Sequence, residues 1–178
     1  MNGMDLGAND GYACEPDTLH LLYALVRYLK PALIVEAGTY RGASACVMAQ
    51  ALKDSQTDGV VWTADVEDHG ALETVERNKL QDYISLYRGD FVEMLAGPLA
   101  SQRCRFAFVD SGSSGGGEVL NTATRIAHCH AVFPILKAGG ILAVDDAAGQ
   151  WDGVQELRDQ ASLYLPNGRG LILVQRRG

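Results

Sequence analysis

The sequence predicts an α/β domain: a doubly wound, mostly parallel sheet with helices on both faces. Three observations carry that prediction. Short apolar runs rich in β-branched residues alternate with segments of helical period from residue 33 onward. The first run, Leu33-Ile34-Val35, passes through a turn bearing Gly38 and Gly42 into a helical segment. Near the end, an extended piece at 163–165, the turn Pro166-Asn167-Gly168 and the run 171–175 read as a β-hairpin, which makes the last strand antiparallel. Strands that alternate with helices are joined by right-handed crossovers, and such sheets bind ligands outside the carboxyl ends of their strands.

Taken in order, residues 16–29 place Leu19, Leu22, Tyr23, Val26 and Leu29 at helical spacing, and Pro31 ends the pattern. After the strand at 33–35 comes a helix over 43–52, a strand at 60–64, a helix over 70–80, a strand at 84–87 and a short helix over 91–99. The strand 105–109 precedes a glycine- and serine-rich stretch, 111–117, and a helix running to about 136. Ala138-Gly139-Gly140 then turns the chain into the strand 141–144, and a last helix is predicted over 154–163.

The 178 residues suit one domain, 1–178, with 1–30 as a small N-terminal helical lid. No apolar run approaches the roughly 18–20 residues of a membrane span, and residues 1–10 lack the basic and apolar regions of a secretion signal, so a cytoplasmic location is expected. Cys14, Cys46, Cys104 and Cys129 are scattered without a C-x-x-C pair, which predicts buried reduced thiols. A net charge of −7 argues against a nucleic-acid partner, since phosphate contacts need clustered Lys and Arg. The one basic cluster, Arg169, Arg176 and Arg177, reads as a solvated terminus.

Chemistry concentrates at three strand ends. In Val35-Glu36-Ala37-Gly38-Thr39-Tyr40-Arg41-Gly42-Ala43-Ser44, Gly38 permits a tight turn and close approach to a ligand, and the helix that follows offers free N–H donors. Asp65, ending Trp62-Thr63-Ala64-Asp65, is placed to accept both hydroxyls of a ribose, against the plainer reading that it caps the following segment. Asp110, with Asp145 and Asp146 on the neighbouring strand, forms a third group. Three converging carboxylates repel unless protons or a cation intervene, and oxygen ligands suit Mg²⁺ or another hard divalent ion. His128 and His130, two apart on a helix, do not share a face and read as packing or surface residues; His69 borders the cofactor side. Trp151 reads either as a wall of the substrate pocket or as core.

Residues 33–175 resemble the class I S-adenosylmethionine-dependent methyltransferases in the order of elements and in these motifs. The resemblance implies a seven-stranded sheet of order 3-2-1-4-5-7-6. It implies that Glu36, Gly38, Thr39, Tyr40, Gly42, Ser44, Asp65, Asp90 and Asp110 surround S-adenosylmethionine, with Asp65 on the ribose and Arg88-Gly89-Asp90 on the adenine side. Leu136-Lys137-Ala138-Gly139-Gly140 matches the family's turn before the fifth strand. Asp110, Asp145 and Asp146 resemble the metal ligands of catechol-type and sugar or macrolide O-methyltransferases, with Asp110 catalytic and a small-molecule hydroxyl as acceptor. Where those relatives carry a lysine or histidine near the first aspartate, this chain has Ser113. Two other readings stay open: a cofactor-binding protein without transfer activity, and a nucleotide or nicotinamide enzyme on the same architecture, although Gly-x-Gly-x-x-Gly is absent. The short addition before the first strand points to an open cleft or to a partner subunit, hence a homodimer.

Overall fold

The computed structural model describes residues 3–6, 13–112, 117–147, 157, 160–166 and 168–178, the side chains of 117–120 excepted. Residues 113–116, with Ser113 among them, Trp151 and most of the predicted helix 154–163 lie outside the described residues. Seven strands form one sheet: β1 (Leu33–Ala37), β2 (Val60–Asp65), β3 (Ile84–Arg88), β4 (Cys104–Val109), β5 (Leu136–Val144), β6 (Ala161–Leu165) and β7 (Leu171–Gln175). Their order is β3-β2-β1-β4-β5-β7-β6. The pairs β1/β2, β1/β4, β2/β3 and β4/β5 are parallel, and β7 runs antiparallel to both β5 and β6.

The period of two along each central strand builds two cores. Ile34, Val61, Phe106 and Phe108 point to one face, where α1 (Pro16–Leu29) and α2 (Ala43–Asp54) pack. Val35, Ala37, Ala107, Val109, Leu142 and Val144 point to the other, covered by α4 (Phe91–Ala96) and α5 (Gly117–Val132), while α3 (Ala71–Arg77) follows β2. The segment expected as a lid divides in two. Leu22 and Val26 of α1 are fully buried and belong to the core, each worth about 1.5–3 kcal/mol, so α1 covers the sheet; Ala13 and Cys14, just before it, reach the cavity described below.

Three expectations need adjustment. Residues 161–163, read as the end of a helix, belong to β6, since pairing with Gln175, Val174 and Leu173 overrides their local propensity. The Ala138-Gly139-Gly140 turn lies inside β5: the register jumps from Cys104↔Leu136 to Phe106↔Ile141, and Gly139, at φ +73°, takes the bend. Of the basic cluster, only Arg177 is an exposed terminal side chain. Arg176 donates to the carbonyls of Phe133, Pro134 and Leu136, closing the end of α5 onto β5, and Arg169 lines the cavity. All four cysteines are free and buried, as expected. No described helix is long and apolar enough to cross a membrane.

Candidate active site

Backbone bonds continue past the ends of the strands and hold the loops in place. Gly38 N–H donates to Ala64, Gly89 to Asp65, Asp110 to Ala37 and Asp145 to Val109. The residues after β1, β2, β4 and β5 therefore emerge side by side, as a parallel sheet dictates. Between them lies a cavity of about 270 Å³, walled by Gly38, Thr39, Tyr40, Ser44, Asp65 and Asp110 among the expected residues. Asp146 is on its wall as well. Glu36, Gly42, Asp90 and Asp145 are not.

On one side of the cavity the loop after β1 is locked to Asp65. Tyr40 N–H donates to Asp65 Oδ2 at 2.8 Å and Glu67 N–H to Oδ1 at 3.1 Å, so this carboxylate both organises the loop and faces the cavity. The capping reading of Asp65 is the one these bonds display, and they fill two of the roughly four acceptor positions of its carboxylate. Three residues in five adopt left-handed backbone: Gly38 at φ +95°, Tyr40 at +46° and Gly42 at +80°. Gly38 is required by its neighbour: a Cβ there would lie 2.2 Å from the Asp110 carbonyl oxygen. The Tyr40 ring sits 4.7 Å from that of His69 and under the Arg41 guanidinium at 5.4 Å, forming an aromatic wall.

Glu36 lies beneath this loop, fully buried. Burial pushes its carboxyl up to about 7; the Ser44 and Thr63 hydroxyls nearby offset part of that effect, and Asp65 adds to it. Neither hydroxyl meets Glu36 in hydrogen-bond geometry, and Thr63 instead bonds Thr39 at 2.6 Å. Asp90 caps α4 by accepting from Val92 at 2.8 Å and Glu93 at 3.2 Å. It stands 4.0 Å from His128, whose other ring nitrogen is 2.8 Å from Ser111 Oγ and whose basicity is lowered by burial. Its place is at the start of α4, away from the cavity wall.

On the opposite side the three aspartates expected to share one cation divide. Asp146, at φ +52°, is held by Arg125 of α5 and by Arg169 of the β6–β7 connection, each 2.5 Å from one of its oxygens; the Arg169 contact is ionic and poorly aligned for a hydrogen bond. Arg169 also contacts Glu15 at 3.0 Å. Asp110 and Asp145 fall beside Cys14, with one ligand atom from each of the three within 4.8 Å of the others. Burial, then the neighbouring acids, raises both carboxyls, with Arg169 opposing; burial and the same two acids drive the Cys14 thiol far up. This donor set does not fit Mg²⁺ or Ca²⁺. Such hard ions take oxygen ligands and complete their shell with water, and here two carboxylates stand beside a soft thiol while the third is met by two guanidinium groups of fixed charge.

Cys14, Arg125, Asn121 and Arg169 were not foreseen as cavity residues. The only signal available was the type of Arg125 and Arg169, with nothing local to say that α5 and the last hairpin would bring them to Asp146.

The fold and the strand-end site define the class of the S-adenosylmethionine-dependent methyltransferases. Residues 35–147 match the model of a family described as a methyltransferase domain, and the chain belongs to that family. No curated relative matches the sequence. Among solved structures, the chain is similar to the O-methyltransferase TomG of Streptomyces achromogenes in complex with SAM: TM-score 0.76, 17% identity, over 95% of this chain and 83% of that one. It is similar to the SAH-bound methyltransferase PaMTH1 of Podospora anserina, with TM-score 0.74, 16% identity, and 94% and 81% covered. A methyltransferase of Geobacter sulfurreducens gives 0.71, 24% identity, and 94% and 81%.

Proposed function

We propose that this methyltransferase moves the methyl group of S-adenosylmethionine to a hydroxyl oxygen of a small molecule. The observation that carries the reading is the Asp65 carboxylate, fixed by two backbone N–H groups at the wall of a cavity that it shares with Asp110. Asp65 would accept the ribose hydroxyls, while the Gly38–Ser44 loop surrounds the methionine part. Neighbours of the same fold named O-methyltransferases, one in complex with SAM and one with SAH, support the donor and the class of acceptor atom.

In the step itself, the acceptor oxygen forms a bond to the methyl carbon as the carbon–sulfur bond breaks. The sulfonium becomes a neutral thioether, and the hydroxyl proton leaves. Asp110 is the group placed to take that proton: it lines the cavity, and burial with Asp145 and Asp146 alongside makes it a stronger base than an ordinary carboxylate. Holding the oxygen in line with the methyl group supplies most of the remaining acceleration. The alternative, a cofactor-binding protein without transfer, is favoured by Ser113 in place of the relatives' lysine or histidine.

Isothermal titration with S-adenosylmethionine, S-adenosylhomocysteine and NAD⁺ tests the reading. Both adenosyl compounds should bind, and Asp65→Ala should weaken them by about 10- to 100-fold, the loss expected for hydrogen bonds to a charged group. Binding of NAD⁺ alone, or of none, defeats it.

A further inference from the structure

We infer that the acceptor side of this site works without a divalent cation, because Arg125 and Arg169 supply at Asp146 the positive charge that a metal ion would otherwise bring. The consequence for catalysis rests on the methyltransferase reading; the binding claim itself does not.

Four features carry it. The first is charge compensation: Arg125 Nη2 and Arg169 Nε contact different oxygens of Asp146, so its negative charge is met by two fixed cations. A guanidinium keeps its proton at any working pH, and this charge cannot be titrated away to admit an ion. The second is burial. The Arg125 side chain is 8% exposed and that of Asp146 is 19% exposed, where the attraction between them is weakly screened and an incoming dication would meet two cations at close range.

The third is the chemistry of what remains. Asp110 and Asp145 offer two hard oxygens and Cys14 one soft sulfur, and among the described residues no further carboxylate joins them; Glu15 contacts Arg169 instead. The fourth is connectivity. The Arg125–Asp146–Arg169–Glu15 chain joins α5, the end of β5, the β6–β7 connection and the residue before α1, so the charge cluster is also a structural clasp. A clasp tying four parts of the fold together is not displaced as readily as a hydration shell.

The test is a titration of the purified full chain with Mn²⁺, followed by the spin-resonance signal of free aqueous Mn²⁺, and with Zn²⁺ against a chromophoric chelator. Wild type should leave both ions free. The R125Q/R169Q variant, with Asp146 released, should bind Mn²⁺ and lower the free signal; adding D146N should restore it. R125K/R169K keeps the charges and should behave as wild type, and circular dichroism checks that each variant is folded. Uptake of either ion by wild type, abolished by C14S or D110N, overturns the inference. Failure of a folded R125Q/R169Q to gain Mn²⁺ overturns it too, because the arginines would then not be what stands in the ion's place. S-adenosylhomocysteine binding by the same wild-type sample keeps the two claims separate: its absence would defeat the methyltransferase reading and leave the metal result standing.

Discussion

Around Asp65 both carboxylate oxygens are met by backbone N–H groups, whereas around Asp110, Asp145 and Asp146 the acids are met by other side chains or by one another. The two halves of one cavity thus rest on different physics. The first is set by backbone geometry: left-handed residues at Gly38, Tyr40 and Gly42, and a sheet whose ladder continues into the loops. The second is set by long side chains from distant elements that settle a local excess of negative charge. The first half rests on main-chain bonds between neighbouring strand ends, and the second on side chains that reach in from separate elements.

Removing the charge of Asp110 probes the second half most severely. Asp110→Asn should lower turnover at saturating cofactor by about 10²- to 10⁴-fold, the usual worth of a general base, a loss far larger than any change in S-adenosylhomocysteine affinity read by titration calorimetry. If turnover survives, the base lies elsewhere and the acid cluster is structural.

The first half is probed by Gly38→Ala. Left-handed backbone costs about 1–2 kcal/mol and the collision with the Asp110 carbonyl adds about 1–3 kcal/mol, so urea denaturation should show a loss of roughly 4 kcal/mol. Gly70→Ala, at φ +79° with open space around it, should lose only about 1–2 kcal/mol. Equal losses would mean that the contact between the two loops carries no strain.

A subtler probe is Glu36. Burial raises it to about 7, above the ordinary 4.5 of an unfolded chain, so between those pH values the native state holds a proton that the unfolded chain releases. Stability is therefore greatest below about pH 4.5 with respect to this group and falls as pH rises to about 7, by on the order of 3 kcal/mol in all. Glu36→Gln, permanently neutral, should flatten that slope in denaturation curves taken across the window. An unchanged slope would show that Glu36 is ionised in the native protein.

Much of the fold could be read from the sequence because its signals are local. Leu33-Ile34-Val35 followed by Gly38, or Leu19, Leu22, Val26 and Leu29 at helical spacing, state the element and its buried face within a dozen residues. The 161–163 segment misled because its strand character comes from β7, and the Gly139–Gly140 bend because a bulge and a turn use the same residues. At the site, Asp65 and Gly38 were legible as residues of the strand-end cleft, although the part of Gly38's constraint that comes from Asp110 was not. Arg125 and Arg169 stand 21 and 23 residues from Asp146, on opposite sides of it in the chain, and only packing brings them together.

The start of α2 carries a last consequence. Gly42 precedes it in left-handed backbone, and no side chain caps the helix, so its opening turn, including Ala43 and Ser44 on the cavity wall, lacks the partner that most helices supply for themselves. A ligand that accepts from those amides completes the helix as well as filling the site. By mass action, occupancy then reinforces the whole domain: ligand at 100 times its Kd adds about 2.7 kcal/mol to the apparent stability. The protein should thus be a sturdier molecule when it is at work than when it is idle.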